Sequence, residues 1–338
     1  MRELSDWVPK LAGQRVLVVG DVLLDEYLIG RAARLSREAP VPVLEFEQRQ
    51  LIPGGAANPA ANIAALGSTA VQAGVIGSDS AGTTLRQVLQ AHGIEVHALI
   101  TDPGRPTSVK MRVLAQMGLR FPQQVARLDT LSREPISASI ERQVRAAIAE
   151  QVGGASAVLV SDYDGGLLTA SLVETLRRLA GGTLLSADAQ GRLEKYARFG
   201  LVKCNADDAR RALGRDLRGD DAFAGAAREL GQRLRLSRAM VITRGPEGAT
   251  VAETDGPVTH CPAPAVSDVY DVVGAGDTFV AVLTLAVSAG APLAAAAHLA
   301  NYASGLVVRR VGNYAPTPAE LRWALEHWSG PAGPAAPI

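Results

Sequence analysis

Cysteine is nearly missing from this chain: of 338 residues, only Cys204 and Cys261 carry thiols. They lie far apart and in no C-x-x-C pair, which argues against structural zinc or a disulfide framework and for a reducing compartment. An excess of one charge is missing too. The 34 basic and 34 acidic side chains cancel, so no global field draws the chain to nucleic acid or an anionic membrane. The histidines (His92, His97, His260, His298 and His327) form no pair at metal-ligand spacing. They read as scattered surface or core residues. Aromatic side chains make up 4% of the chain, which counts against a pocket built to stack a nucleobase.

Nor does any apolar run reach the ~20 residues that a membrane span needs. The most apolar region, 278–308, is broken by Ser288, by Gly-Ala-Pro at 290–292, by His298 and by Asn301. Two buried helices are expected there. The opening residues are charged and their first apolar run is only strand-long, so no secretory signal is expected. A soluble, cytoplasmic protein with no membrane or nucleic-acid partner is the expectation.

What the chain does have is alternation. Strand-like runs stand at 15–20, 70–77, 157–161, 183–188, 201–205 and 239–243, and helical periodicity at 57–66, 80–91, 134–152, 170–180 and 220–235. Strands separated by helices predict a parallel sheet covered on both faces. Two segments, about 25–50 and 94–127, are strand-like with no helix between, and predict a small β lid over the strand ends. The chain is expected to form one domain over 1–328. The Pro, Gly and Ala of 329–338 suggest a flexible tail.

Three stretches carry the chemistry. In DVVGAGDTF, Gly274, Ala275 and Gly276 precede Asp277 just where an apolar helical run begins. The first amides of a helix lack internal partners and the macrodipole is positive there, so the turn can cradle an anion. With a carboxylate beside it, the turn suits phosphoryl transfer, the acid receiving the proton of the attacking hydroxyl. The plainer alternative is a tight turn with a dipole-complementing acid, and this stretch alone does not separate the two. A helix N-terminus is also expected to lower the pKa of Asp277 and weaken it as a base.

In PGGAANPAANIAALG (53–67), Gly54 and Gly55 precede Asn58 and Asn62, four apart on one helix face. Their amides suit a polyol, while the small residues also suit close packing. In VVGDVLLDEY (18–27), a buried strand ends and Asp21 and Asp25 follow at its carboxyl end. Ligands of parallel sheets bind at that end, and a carboxylate there can accept from sugar hydroxyls. A loop acid or cap is the alternative, better suited to Asp21 than to Asp25.

Taken together and in this order, PGGAAN and DVVGAGDTF resemble the two signatures of the ribokinase (PfkB) family of carbohydrate kinases, over about residues 12–328. GDVLLDEY (20–27), RLSREAPVPV (34–43), PTSVKMRV (106–113) and VYDVVGAGD (269–277) are most similar to the heptose 7-phosphate kinases of lipopolysaccharide-precursor synthesis. The resemblance implies an α/β fold: a three-layer αβα ribokinase-like core with a mainly parallel sheet, plus a small β lid that often mediates homodimers. It implies ATP and Mg2+, with a sugar as the acceptor.

It also implies roles. Asp277 would be the catalytic base, and Gly274, Ala275 and Gly276 the anion hole. Asp25, Gly54, Gly55 and Asn58 would face the sugar. Asn205 and Asp208 fall on the N-x-x-E motif that acts on Mg2+ through water, here with an acid one methylene shorter. Thr243 and Gly245 match a nucleotide-phosphate loop, and Asn301 the adenine pocket. Asp271 and the RRVGN loop (309–313) match the place where some members hold a monovalent cation such as K+.

Two departures stand out. SDYDGG (161–166) and DAQ (188–190) put Gly165 and Gln190 where such heptose kinases carry lysines, and Asp164 adds a negative charge. Asp162 remains on the expected substrate side. Lys110, Arg112 and Arg127 are expected to supply the missing cations, unless the change is drift with the substrate unaltered. Some relatives fuse this domain to a nucleotidyltransferase, and nothing here is expected to form one. The reading is an ATP-dependent kinase for a heptose or heptose phosphate. Its rivals are a same-fold kinase for another sugar or a nucleoside, and a binding protein that has lost catalysis.

Overall fold

A computed structural model describes residues 2–116, 122–266 and 269–328. The strands in chain order are β1 (Arg15–Gly20), β2 (Val22–Leu35), β3 (Pro42–Gly55), β4 (Thr69–Gly77), β5 (Leu99–Asp102), β6 (Val109–Gln116) and β7 (Gln123–Thr130). They continue as β8 (Ala157–Asp162), β9 (Leu184–Ala189), β10 (Leu201–Asn205), β11 (Ala239–Thr243), β12 (Ala249–Glu253) and β13 (Val258–Cys261).

Side-chain alternation in the buried strands sets the layers. Successive residues of a strand point to opposite faces, so Val16 and Val18 of β1 join one apolar cluster, while Leu17 and Val19 join the other. Leu159 and Val158 of β8 part in the same way, as do Val241 and Met240 of β11. The sheet order is β13-β12-β11-β10-β9-β8-β1-β4-β5, parallel except where β12 pairs with β11 and β13. One face is covered by helices Ala57–Ala65, Ser80–Ala91, Ala275–Ser288, Leu293–Val307 and Pro318–His327. The other is covered by Ala138–Val152, Ala170–Ala180 and Gly219–Leu234. Each fully buried Val or Leu contributes roughly 1.5–3 kcal/mol.

Local signals explain the helix bounds. The helix expected from 134 starts at Ala138, because Ser137 Oγ accepts the amide of Ile140 and caps it. The apolar stretch 278–308 forms two helices, and from Asp277 to Val287 every residue of the first is buried. No helix among the described residues is long and apolar enough to cross a membrane.

A second sheet, in the order β3-β2-β6-β7, rises from the strand ends. Its bounds correct the sequence expectation. β5 pairs in parallel with β4 and extends the large sheet, so only part of 94–127 belongs to the small one. β2 and β3 also reach further, pairing from Val22–Gly55 out to Leu35–Pro42. Their inner ends are therefore core structure. Leu23 faces Gly54 and Asp25 faces Ile52 at this junction, which brings two of the motif stretches together. The proposed tail, 329–338, lies outside the described residues.

Candidate active site

Asp277 sits in the first turn of helix Ala275–Ser288, behind Gly274 at φ +82°. That left-handed turn favours glycine, and space demands it as well. A Cβ on Gly274 would stand 2.8 Å from Asn313 Oδ1 and 2.9 Å from Asn58 Nδ2. The amide of Ala275 is taken by Val272 O at 3.3 Å, so the first-turn donors left for an anion are those of Gly276 and Asp277. Lys203 Nζ reaches the same turn, 3.1 Å from where a Cβ on Gly276 would lie.

The Asp277 carboxylate is buried and held at both oxygens. Oδ2 accepts from Asn58 Nδ2 at 2.8 Å, and Oδ1 from the Tyr163 hydroxyl at 2.6 Å. Burial, with some repulsion from Asp188, raises its pKa to about 6, against the opposing pull of Tyr163, Asn58 and Lys203. This overturns the expectation of a weakened base: desolvation outweighs the helix terminus.

Asn58 is oriented by its neighbour one turn on. Thr278 Oγ1 donates to Asn62 Oδ1 at 2.8 Å, and Asn62 Nδ2 donates to Asn58 Oδ1 at 3.2 Å. Asn58 Nδ2 is thereby left to face Asp277. The two asparagines, expected to read a polyol, tie the helix Ala57–Ala65 to Asp277.

Asp25 lies at the root of the small sheet, buried against Gly54, where a Cβ would come within 2.4 Å of its Oδ2. Oδ1 pairs with the Arg112 guanidinium, and Oδ2 accepts from Asn313 Nδ2 at 2.6 Å. A carboxylate has about four lone-pair sites, so Asp25 keeps capacity for sugar hydroxyls. Gly55 (φ +56°) ends β3 and turns the chain toward the asparagine helix.

Other acids are committed elsewhere. Asp21 accepts the amides of Tyr163, Gly165 and Leu167 at 3.0–3.2 Å. It holds the loop that delivers Tyr163, which replaces the expectation that it reads a hydroxyl. Asp162 accepts from Lys195 Nζ (2.6 Å), the Tyr196 hydroxyl (2.5 Å) and the Asp164 amide (2.9 Å), so it too braces the site rather than facing substrate. Lys203 Nζ donates to both oxygens of Asp188, at 3.0 and 2.9 Å. Lys195 and Lys203 thus hold cations near the two strand ends where Gly165 and Gln190 lack them.

Of the three cations expected to substitute, Arg112 is bound to Asp25, and Arg127 is half exposed and pairs with Asp129 at 2.8 Å. Lys110 Nζ hangs 5.4 Å above the Tyr163 ring and has no ion pair among the described residues.

Among the residues expected to face the nucleotide, Asn205 caps the helix Ala206–Leu213 by accepting the Asp208 amide at 2.8 Å. Asp208 is buried. Its Oδ1 accepts from Gly191 N and Arg211, while Oδ2 has no partner. No three His, Cys, Asp or Glu among the described residues form a ready cage for a metal. Mg2+ keeps several waters and needs only one or two carboxylates besides the phosphates, so the unmet Oδ2 suits it. Asp271 accepts the amides of Val273 (2.9 Å) and Gly312 (3.0 Å) and so clamps the 309–313 loop. Thr243 Oγ1 donates to Cys204 O at 3.3 Å, and Gly245 opens a bare turn at φ +60°. Asn301 Nδ2 donates to the carbonyls of Cys261 and Pro262, at 2.7 and 3.3 Å. Asn301 thereby ties its helix to the end of β13, where the adenine pocket is expected.

Tyr163, Lys203 and Asn313 are not singled out by the sequence. Lys203 did leave a signal, a charge inside the buried run LVKCN. Tyr163 and Asn313 meet their partners only through contacts distant along the chain.

A model of the pfkB family carbohydrate kinases matches residues 14–320. The bifunctional protein HldE of Hyphomonas neptunium is 38% identical over 98% of this chain, which spans 67% of that protein. HldE of Geobacter metallireducens is 39% identical over 90% of this chain, covering 61% of its own length. The chain thus spans about two thirds of the length of these relatives. Among solved structures, Arabidopsis thaliana ribokinase complexed with ribose and ATP aligns with a TM-score of 0.70 at 19% identity, over 93% of this chain and 99% of that one. That likeness shows a ribokinase-like fold. With the family model matched across most of its length, the chain belongs to the pfkB family of carbohydrate kinases.

Proposed function

We propose that this kinase transfers the γ-phosphoryl group of ATP to a hydroxyl of a heptose or heptose phosphate. The observation that carries the reading is Asp277: a buried carboxylate with a pKa of about 6, beside open helix-terminal amides and Lys203. A base poised near neutrality can accept a hydroxyl proton, and aligned amides stabilise charge on the moving group. Asp25 would hold the acceptor at the root of the lid. Asp277 would then take the proton as the hydroxyl oxygen attacks in line. Mg2+, when bound through water on Asp208, would neutralise charge on the β- and γ-phosphate oxygens. The heptose preference rests on the likeness at 20–43 and 106–113 and on similarity to the HldE proteins.

The small sheet serves as a lid and as the seat of a homodimer. Leu35, Phe46, Val125 and Leu128 are exposed on it, and its outer strands β3 and β7 offer unpaired edges. Light scattering at micromolar concentration tests this, and a monomer refutes it. A monovalent cation beside Asp271 belongs to the same reading, tested by comparing rates in potassium and tetramethylammonium salts. Cys204 and Cys261 are free thiols, in keeping with a cytoplasmic location.

The test of the central reading is ATP consumption with Mg2+ over a sugar panel, with the product identified by phosphorus NMR. A heptose or its phosphate should be turned over best. Turnover of nucleosides alone, or ATP binding with no transfer, would overturn it.

A further inference from the structure

Asn313 lies in the loop that Asp271 clamps through the neighbouring Gly312 amide. Its Nδ2 donates to Asp25 Oδ2 at 2.6 Å and to Pro53 O at 3.1 Å. A carboxylate and a carbonyl accept only, so the amide cannot be turned over, and its oxygen faces the other way. That oxygen, Oδ1, is buried and has no hydrogen-bond partner. It stands 2.8 Å from where a side chain on Gly274 would begin, a point that Asn58 Nδ2 approaches to 2.9 Å. Asn58 Nδ2 gives one of its two hydrogens to Asp277 and makes no hydrogen bond to Oδ1. An unmet acceptor thus sits between the lid carboxylate and the turn that carries the base.

Leaving such a group unmet costs free energy, which a ligand donor can recover. The donor must be small and next to a group that binds Asp25. A hydroxyl on the carbon adjoining the one read by Asp25 meets both conditions. We propose that Asn313 determines acceptor specificity, its Oδ1 receiving one hydroxyl of a vicinal pair whose other member binds Asp25. The inference rests on the sugar-kinase reading of this site and adds to it which residue reads the polyol.

The test is steady-state transfer from ATP by the full chain and by its Asn313→Ala and Asn313→Ser variants. The acceptors are D-mannose, a manno-heptose and its 7-phosphate, each also as monodeoxy analogues. Both variants should raise the acceptor KM about tenfold or more, the loss expected for an unmade hydrogen bond in a buried site. The KM for ATP should hold, while the thermal midpoint of the Ala variant should fall somewhat, because Asp25 Oδ2 and Pro53 O lose a donor as well. One deoxy analogue should be poor for the native chain and no worse for the variants, because group and partner are then both gone. Calorimetric titration of the sugars without ATP should rank them alike. Unchanged acceptor KM and unchanged deoxy discrimination would overturn the proposal while the kinase reading stands. So would a parallel rise of both KM values in the two variants. If the native chain neither binds nor phosphorylates any sugar of the panel, both readings fall together.

Discussion

Tyr163 donates its hydroxyl to Asp277 Oδ1 at 2.6 Å, joining residues 114 positions apart. The bond favours the ionised carboxylate and pulls its pKa down against burial. Tyr163→Phe should therefore raise the pKa of Asp277, the proposed base. At pH 6 the variant should lose roughly two- to tenfold in kcat/KM, while at pH 8 it should change little. An acid limb in the native position would show that this bond is absent in the working enzyme.

The native pH profile follows from the same carboxylate. With a pKa of about 6, only about a tenth of the molecules hold the base ionised one unit lower. The expectation is a kcat/KM that falls to about a tenth of its plateau by pH 5. Stability runs the opposite way. The folded pKa lies above the ordinary value of 3.8, so the folded state binds the proton more tightly. This contribution is full below the ordinary value and lost as pH rises through about 6. A rate that is flat down to pH 4.5 would contradict the assignment.

Gly276→Val should harm catalysis more than folding. The nearest atom to a Cβ there is the flexible end of Lys203, at 3.1 Å, and it can give way. A branched side chain would nonetheless stand over the first-turn amides proposed to hold the phosphoryl group. Loss of the fold with full activity in the folded fraction would refute this.

Substrate phosphate is the next question. Gly165 cannot simply be changed to Lys, because a Cβ there would lie 2.8 Å from the Asp21 carboxyl, which anchors the Tyr163 loop. Lys110 offers the cleaner test. If it reads a phosphate, Lys110→Ala should cut kcat/KM on heptose 7-phosphate by about 10–100-fold, as for a charge-assisted bond worth about 1.5–3 kcal/mol. The free sugar should be little affected. Equal losses on both would remove Lys110 from phosphate recognition. With two family lysines missing, the native preference for the 7-phosphate should be weak.

Much of this was legible along the chain, for physical reasons. The run Arg15–Gly20 reads as a buried strand because the alternation of Val16 to Val19 is local. Asp277 announces itself because its glycines are adjacent in sequence. The misreadings are non-local. Asp21 looks free until the 163–167 loop returns onto it, and Asn313 meets Asp25 across 288 positions. The sign of the Asp277 shift was missed because burial comes from the packed fold, whereas the helix terminus is visible locally. β5 was drawn into the lid because a strand's own residues do not say which sheet it joins.

The claim on which the rest depends is that Asp277 is the base. Asp277→Asn keeps the shape and the Tyr163 partner but removes the proton acceptor. The decisive measurement is kcat of this variant on the best sugar, together with its thermal midpoint and its affinity for ATP. A loss of about 10²–10⁴ in kcat, the usual worth of a positioned acid–base group, with ATP binding and folding retained, is the predicted result. Near-native turnover with unchanged KM would contradict it, leaving Asp277 as no more than a carboxylate complementing the end of its helix.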